Sequence, residues 1–383
     1  MGCACFASAR LGTSGSSMDP WPGHRSSEPG RTALGDPSGR ARVRTPIRGL
    51  FVRDQNDLGR VLVTGATGFL GYEVASALVR RGLHPRLMVR RPERGRLLTP
   101  LGAEVVHANL LTPESLGRAV EEVDTVIHLA ARATFERYER IRPTIVDGSS
   151  ALMRAGRAAG VKRFVFASSL LVYGGQPDPI DASTPTSPQI GYGRAKVEAE
   201  DALRREAGDE VALSILRLPH VYGARSFLFD QLKAGWLPFP GDGTNVYSHL
   251  HVRDAAEMLI EVAQRGWTGT SPIADDAPTS WNAFFEVLSM HYPKMRLLRI
   301  PSALAIAGAR ALELAMAWRD RPTLHTADTV RGWLLDLNVA PGLVRGDLGL
   351  SLRHPSIDSG IPASLDSAVS YRWLHPTIDR AAG

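Results

Sequence analysis

A chain of 383 residues with 44% hydrophobic and 22% charged residues has the composition of a soluble globular protein, and it can bury one large α/β core or two domains. The formal net charge of +6 does not indicate nucleic acid: residues 1–59 carry eight Arg against five Asp or Glu, which is +3, and the other +3 is spread thinly among acids over the rest of the chain. Both cysteines, Cys3 and Cys5, fall in that leader, and no HxxxH pair or His/Asp cluster has ligand spacing, so disulfides, a thiolate nucleophile and a metal are not expected in the folded part.

The leader itself, rich in Gly, Ser, Pro and Arg, has no apolar period and is read as disordered. Its opening "MGCACF" fails the myristoylation pattern at Phe6, no apolar segment of a secretory signal follows Arg10, and Asp19, Glu28 and Asp36 weaken a transit-peptide reading. Met18 or a later residue is the expected true start, and the expected location is the cytoplasm.

From Arg60 the pattern changes. "RVLVTGAT" reads as a short buried strand, and Phe69, Leu70, Val74, Leu78 and Val79 recur with helical spacing, so a helix starts near Gly68. Between them lie Gly65, Gly68 and Gly71. In that setting the first glycine allows a tight turn, the second lets backbone approach a pyrophosphate, and the third lets helix pack on strand. A second strand, "HPRLMV", ends where a fold of this kind that prefers NAD places an acid on the ribose hydroxyls. Arg90 and Arg91 stand there instead. A guanidinium cannot accept from a 2′-hydroxyl but can clamp a 2′-phosphate, which favours NADP(H) and leaves NAD(H) as the alternative. Strands "AEVVHANL", "DTVIHLAA" and "RFVFASS" follow, with helices at "PESLGRAVEEV" and through 151–159, and this rhythm predicts an α/β fold: a Rossmann-like, doubly wound parallel sheet.

With eight Tyr and four Lys in the chain, a YxxxK pair is expected by chance only about 0.08 times. One occurs, Tyr192 to Lys196 in "GYGRAKVEAE". On a helix the two share a face, so the ammonium is expected to lower the phenol's pKa and make it a usable acid/base. Ser168 and Ser169 end the fifth strand, where groups of an open α/β sheet converge.

On these residues, together with "TGATGFLG", "VIHLAA", "FVFASSLLVYG", "ILRLPHVYG" and "HLHVRDAA", the chain from about Arg60 to Ala274 resembles the extended short-chain dehydrogenase/reductases, the NAD(P)-dependent epimerase/dehydratase group. The resemblance implies that Tyr192 is the general acid/base, that Lys196 tunes it and holds the nicotinamide ribose, and that Ser169 donates to the substrate oxygen. It implies a cofactor site from Gly65, Thr67, Gly68, Phe69, Leu70 and Gly71, from Asn109 and Leu110 near adenine, from Leu129, Ala130 and Ala131, and from Pro219 and Val221 beside the nicotinamide, with His220 between them. Two positions depart from the family pattern: Ile145 stands where an Asn is usual, which puts that residue's proton-relay or structural role in doubt, and Asn109 replaces Asp.

Leu170 and Leu171 occupy the places where sugar-nucleotide dehydratases of this family carry an extra acid/base pair, and neither can move a proton. Tyr247 occupies the place of an Arg that grips the diphosphate in nucleotide-sugar epimerases. Both departures favour a reductase or dehydrogenase of the 3β-hydroxysteroid dehydrogenase-like or flavonol-reductase-like branch, acting between an alcohol and a ketone, over an NAD-dependent sugar epimerase or a non-catalytic NADP(H)-binding sensor or scaffold. Phe227, Phe229, Trp236 and Phe239 are expected to line a pocket for an apolar or ring-bearing small molecule.

The predicted organisation is a leader over 1–59, a cofactor domain over 60–225 to which 249–274 returns, and a substrate-binding part over 226–383. "SALAIAGARALELAMAW", from Ser302 to Trp318, is interrupted by Arg310 and Glu313 and is too short for a membrane span, so it predicts an amphipathic helix for which contact with a membrane surface is open. A homodimer is compatible with the family.

Overall fold

Most of the apolar runs of the N-terminal half become parallel strands buried on both faces, as a sheet covered by helices on two sides requires, whereas the edge strand Glu104–His107 keeps its first and last residues exposed. The computed structural model describes residues 58–370, apart from 92, 94–98, 100, 101, 133, 134, 233, 234, 320–322 and 324. Residues 1–57, and with them nearly all of the leader read as disordered, lie outside the described residues, as do 371–383.

In chain order the main elements among the described residues are β1 (Val61–Thr64), α1 (Phe69–Arg80), β2 (Arg86–Val89), β3 (Glu104–His107), α2 (Leu116–Val120), β4 (Thr125–His128), α3 (Gly148–Ala158), β5 (Arg163–Ser169), α4 (Gly191–Ala207) and β6 (Ala212–Leu218). They are followed by β7 (His220–Tyr222), β8 (Trp236–Pro240), β9 (His249–His251), α5 (Val252–Gln264), β10 (Gly269–Pro272), α6 (Trp281–His291), β11 (Arg296–Ile300), α7 (Ser302–Trp318), α8 (Ala327–Trp333) and α9 (Ile357–Ser370). The main sheet has seven strands in the order β10-β6-β5-β4-β1-β2-β3, with every pairing parallel. It is the doubly wound α/β arrangement expected, and the order reverses between β1 and β4, which leaves a crevice at their carboxyl ends.

α1 and α5 cover one face with Val74, Leu78, Leu259 and Val262, while α2, α3 and α4 cover the other with Leu116, Leu152, Ala195 and Leu203. Small parallel pairs, β7 with β9 and β8 with β11, form outside the main sheet. The helix expected over "PESLGRAVEEV" is shorter than read: a 3₁₀ turn over Pro113–Ser115 precedes α2, and the chain leaves the helix at Glu121 because Glu122 adopts a positive φ of 55°. α7 spans Ser302 to Trp318 as the pattern indicates, and among the described residues no helix is long and apolar enough to cross a membrane.

Candidate active site

The crevice is a cleft of about 760 Å³. Its floor is the glycine turn. Gly65 has φ +70°, and a Cβ there would lie 2.9 Å from the Ala130 nitrogen; a Cβ on Gly71 would lie 2.1 Å from the Gly65 carbonyl oxygen. Glycine is therefore needed at both positions, once for the turn and once for close packing of α1 on the loop. α1 begins with Gly68 as its cap, which has no side chain to bond the first amides, and its first turn holds no acid, so N–H groups and the positive end of the helix dipole face the cleft. This is a donor set suited to a pyrophosphate.

Thr67, Phe69 and Leu70 line the same floor, and Asn109, Leu110, Leu129, Ala130 and Ala131 line the wall beside it. Asn109 Oδ1 accepts from the Leu111 N–H, which closes a local turn, and Leu129 and Ala130 are fixed by donating to Thr64 Oγ1. Thr64 in turn bonds the buried His128, whose Nε2 reaches Ser149 Oγ at 2.8 Å. Since Ser149 donates to the Ile145 carbonyl, His128 donates from Nε2 and accepts at Nδ1, and burial holds the ring neutral with its pKa pushed down to about 3. Of the two arginines after β2, both exposed, Arg90 lines the cleft and Arg91 lies outside its lining.

The opposite wall comes from β5, α4 and the segment after β6. Ser168, Ser169, Tyr192, Lys196, Leu218, Pro219, His220 and Val221 all face the cleft. Ser169 caps a 3₁₀ turn over Leu170–Val172, its Oγ accepting from the Leu171 N–H. α4 starts on that turn: Gly191 N–H donates to Asp328 Oδ2, and a Cβ on Gly193 would lie 2.2 Å from the Leu171 carbonyl oxygen. Gly193 thus lets the first turn of α4, with Tyr192 on it, sit directly against the Ser169 turn. Lys196 follows one turn later.

The electrostatics differ from the sequence reading. Tyr192 is buried and its pKa is pushed up by desolvation, not down, and no charge from Lys196 offsets this. The reason is geometric: Lys196 Nζ donates to the Ala167 carbonyl at 2.7 Å and lies over the Phe166 ring, 5.8 Å from the centre of the Tyr192 ring. The lysine is itself buried, and desolvation lowers its pKa to about 7, with Glu200 acting in the other direction. The structure therefore holds the phenol firmly protonated.

Glu200, a further turn along α4, anchors this wall. It is fully buried, and Oε1 accepts from Ser168 Oγ and Arg217 Nε while Oε2 accepts from Arg217 Nη2 at 2.7 Å and Arg204 Nη2 at 3.0 Å. Burial alone would raise its pKa; the bonds and charge of Arg217 more than offset this and hold it ionised. Ser168 is thereby committed to the network, and its neighbour Ser169 is not.

The cleft also carries aromatic rings, but they are mostly not those expected. Of the four aromatics anticipated there, only Phe227 lines it. Phe229 and Phe239 are buried in the core and Trp236 is on the surface, because β8 alternates its faces and sends residues 237 and 239 inward and 236 outward. The walls come instead from Phe135, Tyr247, Trp281 and Trp333, which lie far apart in sequence. Phe135 has a φ of +48°, uncommon for an aromatic residue, and its ring sits 4.8 Å from that of Tyr192. Among the described residues the cations lining the cleft are Arg90, Arg132 and Lys196, and Arg132 is paired with Glu136 at 2.7 Å. Ile145 is buried in the core within a π-turn over Pro143–Asp147, which carries the neighbouring Thr144 into the cleft lining; its side chain can relay no proton.

Residues 61–273 match the NAD dependent epimerase/dehydratase family. The chain belongs to that family. A ceramide reductase of Caulobacter vibrioides is 33% identical over 68% of this chain and 78% of its own, and a 4-hydroxy-2-methyl-3-oxo-4-farnesyl-3,4-dihydroquinoline-1-oxide ketoreductase of Stigmatella aurantiaca is 29% identical over 60% and 72%. The UDP-glucose 4-epimerase of Thermotoga maritima, solved with UDP-glucose, superposes with a TM-score of 0.67 at 20% identity, covering 82% of this chain and all of that one, which is likeness of fold. The protein is thus an enzyme of the extended short-chain dehydrogenase/reductase type, with an oxidoreductase Rossmann core and a family dependence on NAD.

The glycine cradle and the open amides of α1 fit such a dinucleotide. One group that spacing in the sequence does not bring together meets in the fold: His251, Asp254 and the distant His354 have ligand-type atoms within 4.8 Å of one another. Their observed work is structural: both Asp254 oxygens accept backbone N–H groups, from Arg353 at 2.6 Å and His354 at 3.1 Å, clasping the segment before α9 to the start of α5.

Proposed function

We propose that this enzyme is an NADP(H)-favouring reductase that transfers a hydride between the nicotinamide and an apolar ketone or alcohol, with a lipid-like or polycyclic skeleton. The observation that carries the reading is the far end of the cleft: rings of Phe135, Tyr247, Trp281 and Trp333, with Tyr247 at the diphosphate-gripping position, while of the two arginines that line the cleft among the described residues Arg132 is paired with Glu136 and Arg90 stands after β2. A nucleotide diphosphate would lie there without a counter-charge. The two relatives described above, by their names reductases of a ceramide and of a farnesylated quinolone, support an apolar substrate.

In this mechanism the bound cofactor supplies or accepts the hydride. The glycine turn and α1 hold its pyrophosphate, and Arg90 holds a 2′-phosphate. Ser169 orients the substrate oxygen, and Tyr192, kept neutral by burial, donates its proton to the alkoxide that forms on reduction. Lys196, held by the Ala167 carbonyl, lies along the wall where the nicotinamide ribose would sit. The aromatic walls exclude water from the reacting carbon. A protonated phenol favours the reductive direction at neutral pH, since oxidation would need it as a base.

The cofactor part is tested by titrating the protein with NADPH and NADH under fluorescence. The expected result is tighter NADPH binding, with Arg90→Ala weakening NADPH about tenfold or more and leaving NADH nearly unchanged. Equal affinity for both, unaffected by the substitution, would remove NADP(H) preference from the reading.

A further inference from the structure

α7 is a helix with almost nothing over it. Of its 17 residues only Ala309 is buried, whereas Trp318 is 85% exposed, Leu304 66% and Leu314 61%. Leu304, Ala307, Ala311, Leu314 and Trp318 alternate in steps of three and four, so they form one outward stripe. The stripe has an apolar approach. The outward face of the β8/β11 pair carries exposed Trp236 and Leu298, and β11 runs straight into α7 through Ile300 and Pro301. Eight of the nine large exposed hydrophobic side chains among the described residues lie between Phe227 and Trp318. Scattered apolar residues need no explanation, but a concentrated patch marks a contact surface.

The charge of this segment says which contact. From Lys294 to Arg319 the chain carries Lys294, Arg296, Arg299, Arg310 and Arg319 against one acid, Glu313, and that carboxylate accepts the Ala327 N–H that starts α8. Lys294, Arg296, Arg310 and Arg319 are exposed. A second copy of the chain would bring a like-charged face against this one, whereas an anionic lipid surface complements it. α7 is also too short to span, and an exposed Trp at one end with Arg beside it suits the headgroup boundary.

We propose that α7, with the outward face of β8 and β11, docks the enzyme on an anionic lipid bilayer. The placement has a use. α7 packs on α8, whose Thr329, Gly332 and Trp333 line the cleft, and partly exposed Phe227 lines the cleft within 5.8 Å of His325 in the connection between the two helices. A bilayer under α7 therefore lies next to the apolar end of the cleft, where a membrane-resident substrate would enter. Vesicle binding and ketone turnover are separate measurements, so failure of the first leaves hydride transfer standing.

The test is flotation of the purified full chain with phosphatidylcholine vesicles containing or lacking phosphatidylglycerol. The expected result is flotation with the anionic vesicles, released by high salt, and a loss of about tenfold in bound fraction for the Leu314→Ser, Trp318→Ser double variant. Because both side chains are exposed, the variant should keep its melting temperature and its NADPH affinity. Protein that stays wholly soluble with both vesicle types would overturn the proposal. So would a dimer, seen by light scattering, that the same double variant splits while vesicle binding is absent, since that would give the face to a second copy.

Discussion

Replacing Tyr192 by Phe is expected to cut kcat for ketone reduction by about 10²- to 10⁴-fold while leaving the dissociation constant of NADPH within about twofold of the parent. The change deletes one oxygen from a buried ring packed at a tilt against Phe135, so packing is retained and only the proton donor is lost. The pH dependence separates this from a packing defect. Burial keeps the phenol protonated through the neutral range, so the parent's reductive rate should not depend on Tyr192 titration between pH 6 and 9, while the reverse oxidation should climb with pH as phenolate becomes accessible. Stopped-flow turnover with and without the hydroxyl, in both directions, checks the assignment; a variant that turns over like the parent would remove Tyr192 from the chemistry.

Removing Glu200 should have the largest effect on stability. Glu200→Ala leaves Arg217 buried without its carboxylate and strips Ser168 of its acceptor, and breaking a buried ion pair in this way costs about 3 to 5 kcal/mol. Chemical denaturation should show that loss as a lower midpoint with little change in slope. The sign of the pH dependence also follows. Glu200 has a pKa held below its ordinary 4.5, so its contribution is present above that value in the parent and is lost as pH falls below it; the variant should lack this part of the acid sensitivity. Arg217→Leu combined with Glu200→Leu should recover part of the loss, because replacing both partners leaves no orphaned charge.

The first strand and the glycine turn were legible because they are a local pattern: a run of four buried residues ended by glycine, then apolar residues at helical spacing. Tyr192 and Lys196 were legible because a rare residue pair fell at i and i+4. What was not legible depends on chain segments meeting from a distance. Phe135, Trp281 and Trp333 carry no signal that they share a wall, and the expectation that Trp236 and Phe239 line the cleft fails because Trp236–Pro240 is a strand whose alternation sends the one outward and the other into the core. Gly193 carries no signal of its own within the YxxxK motif, because its need for a bare Cα comes from the Leu171 carbonyl packed against it. The direction of the Tyr192 shift was misread for the same reason: neighbouring in sequence put an ammonium beside the phenol, whereas the folded chain turns that ammonium to the Ala167 carbonyl and buries the phenol.

The most direct measurement of the central claim is deuterium transfer. The protein is incubated with NADPH carrying deuterium on the reacting C4 position and a panel of long-chain and steroidal ketones, with UDP-sugars and NAD as the parallel arm, and products are read by mass spectrometry and absorbance at 340 nm. Incorporation of one deuterium into the carbinol of an apolar ketone, with one NADPH oxidised per product, is the result expected. Interconversion of UDP-sugar epimers with steady absorbance at 340 nm, and no label in any ketone product, would contradict it.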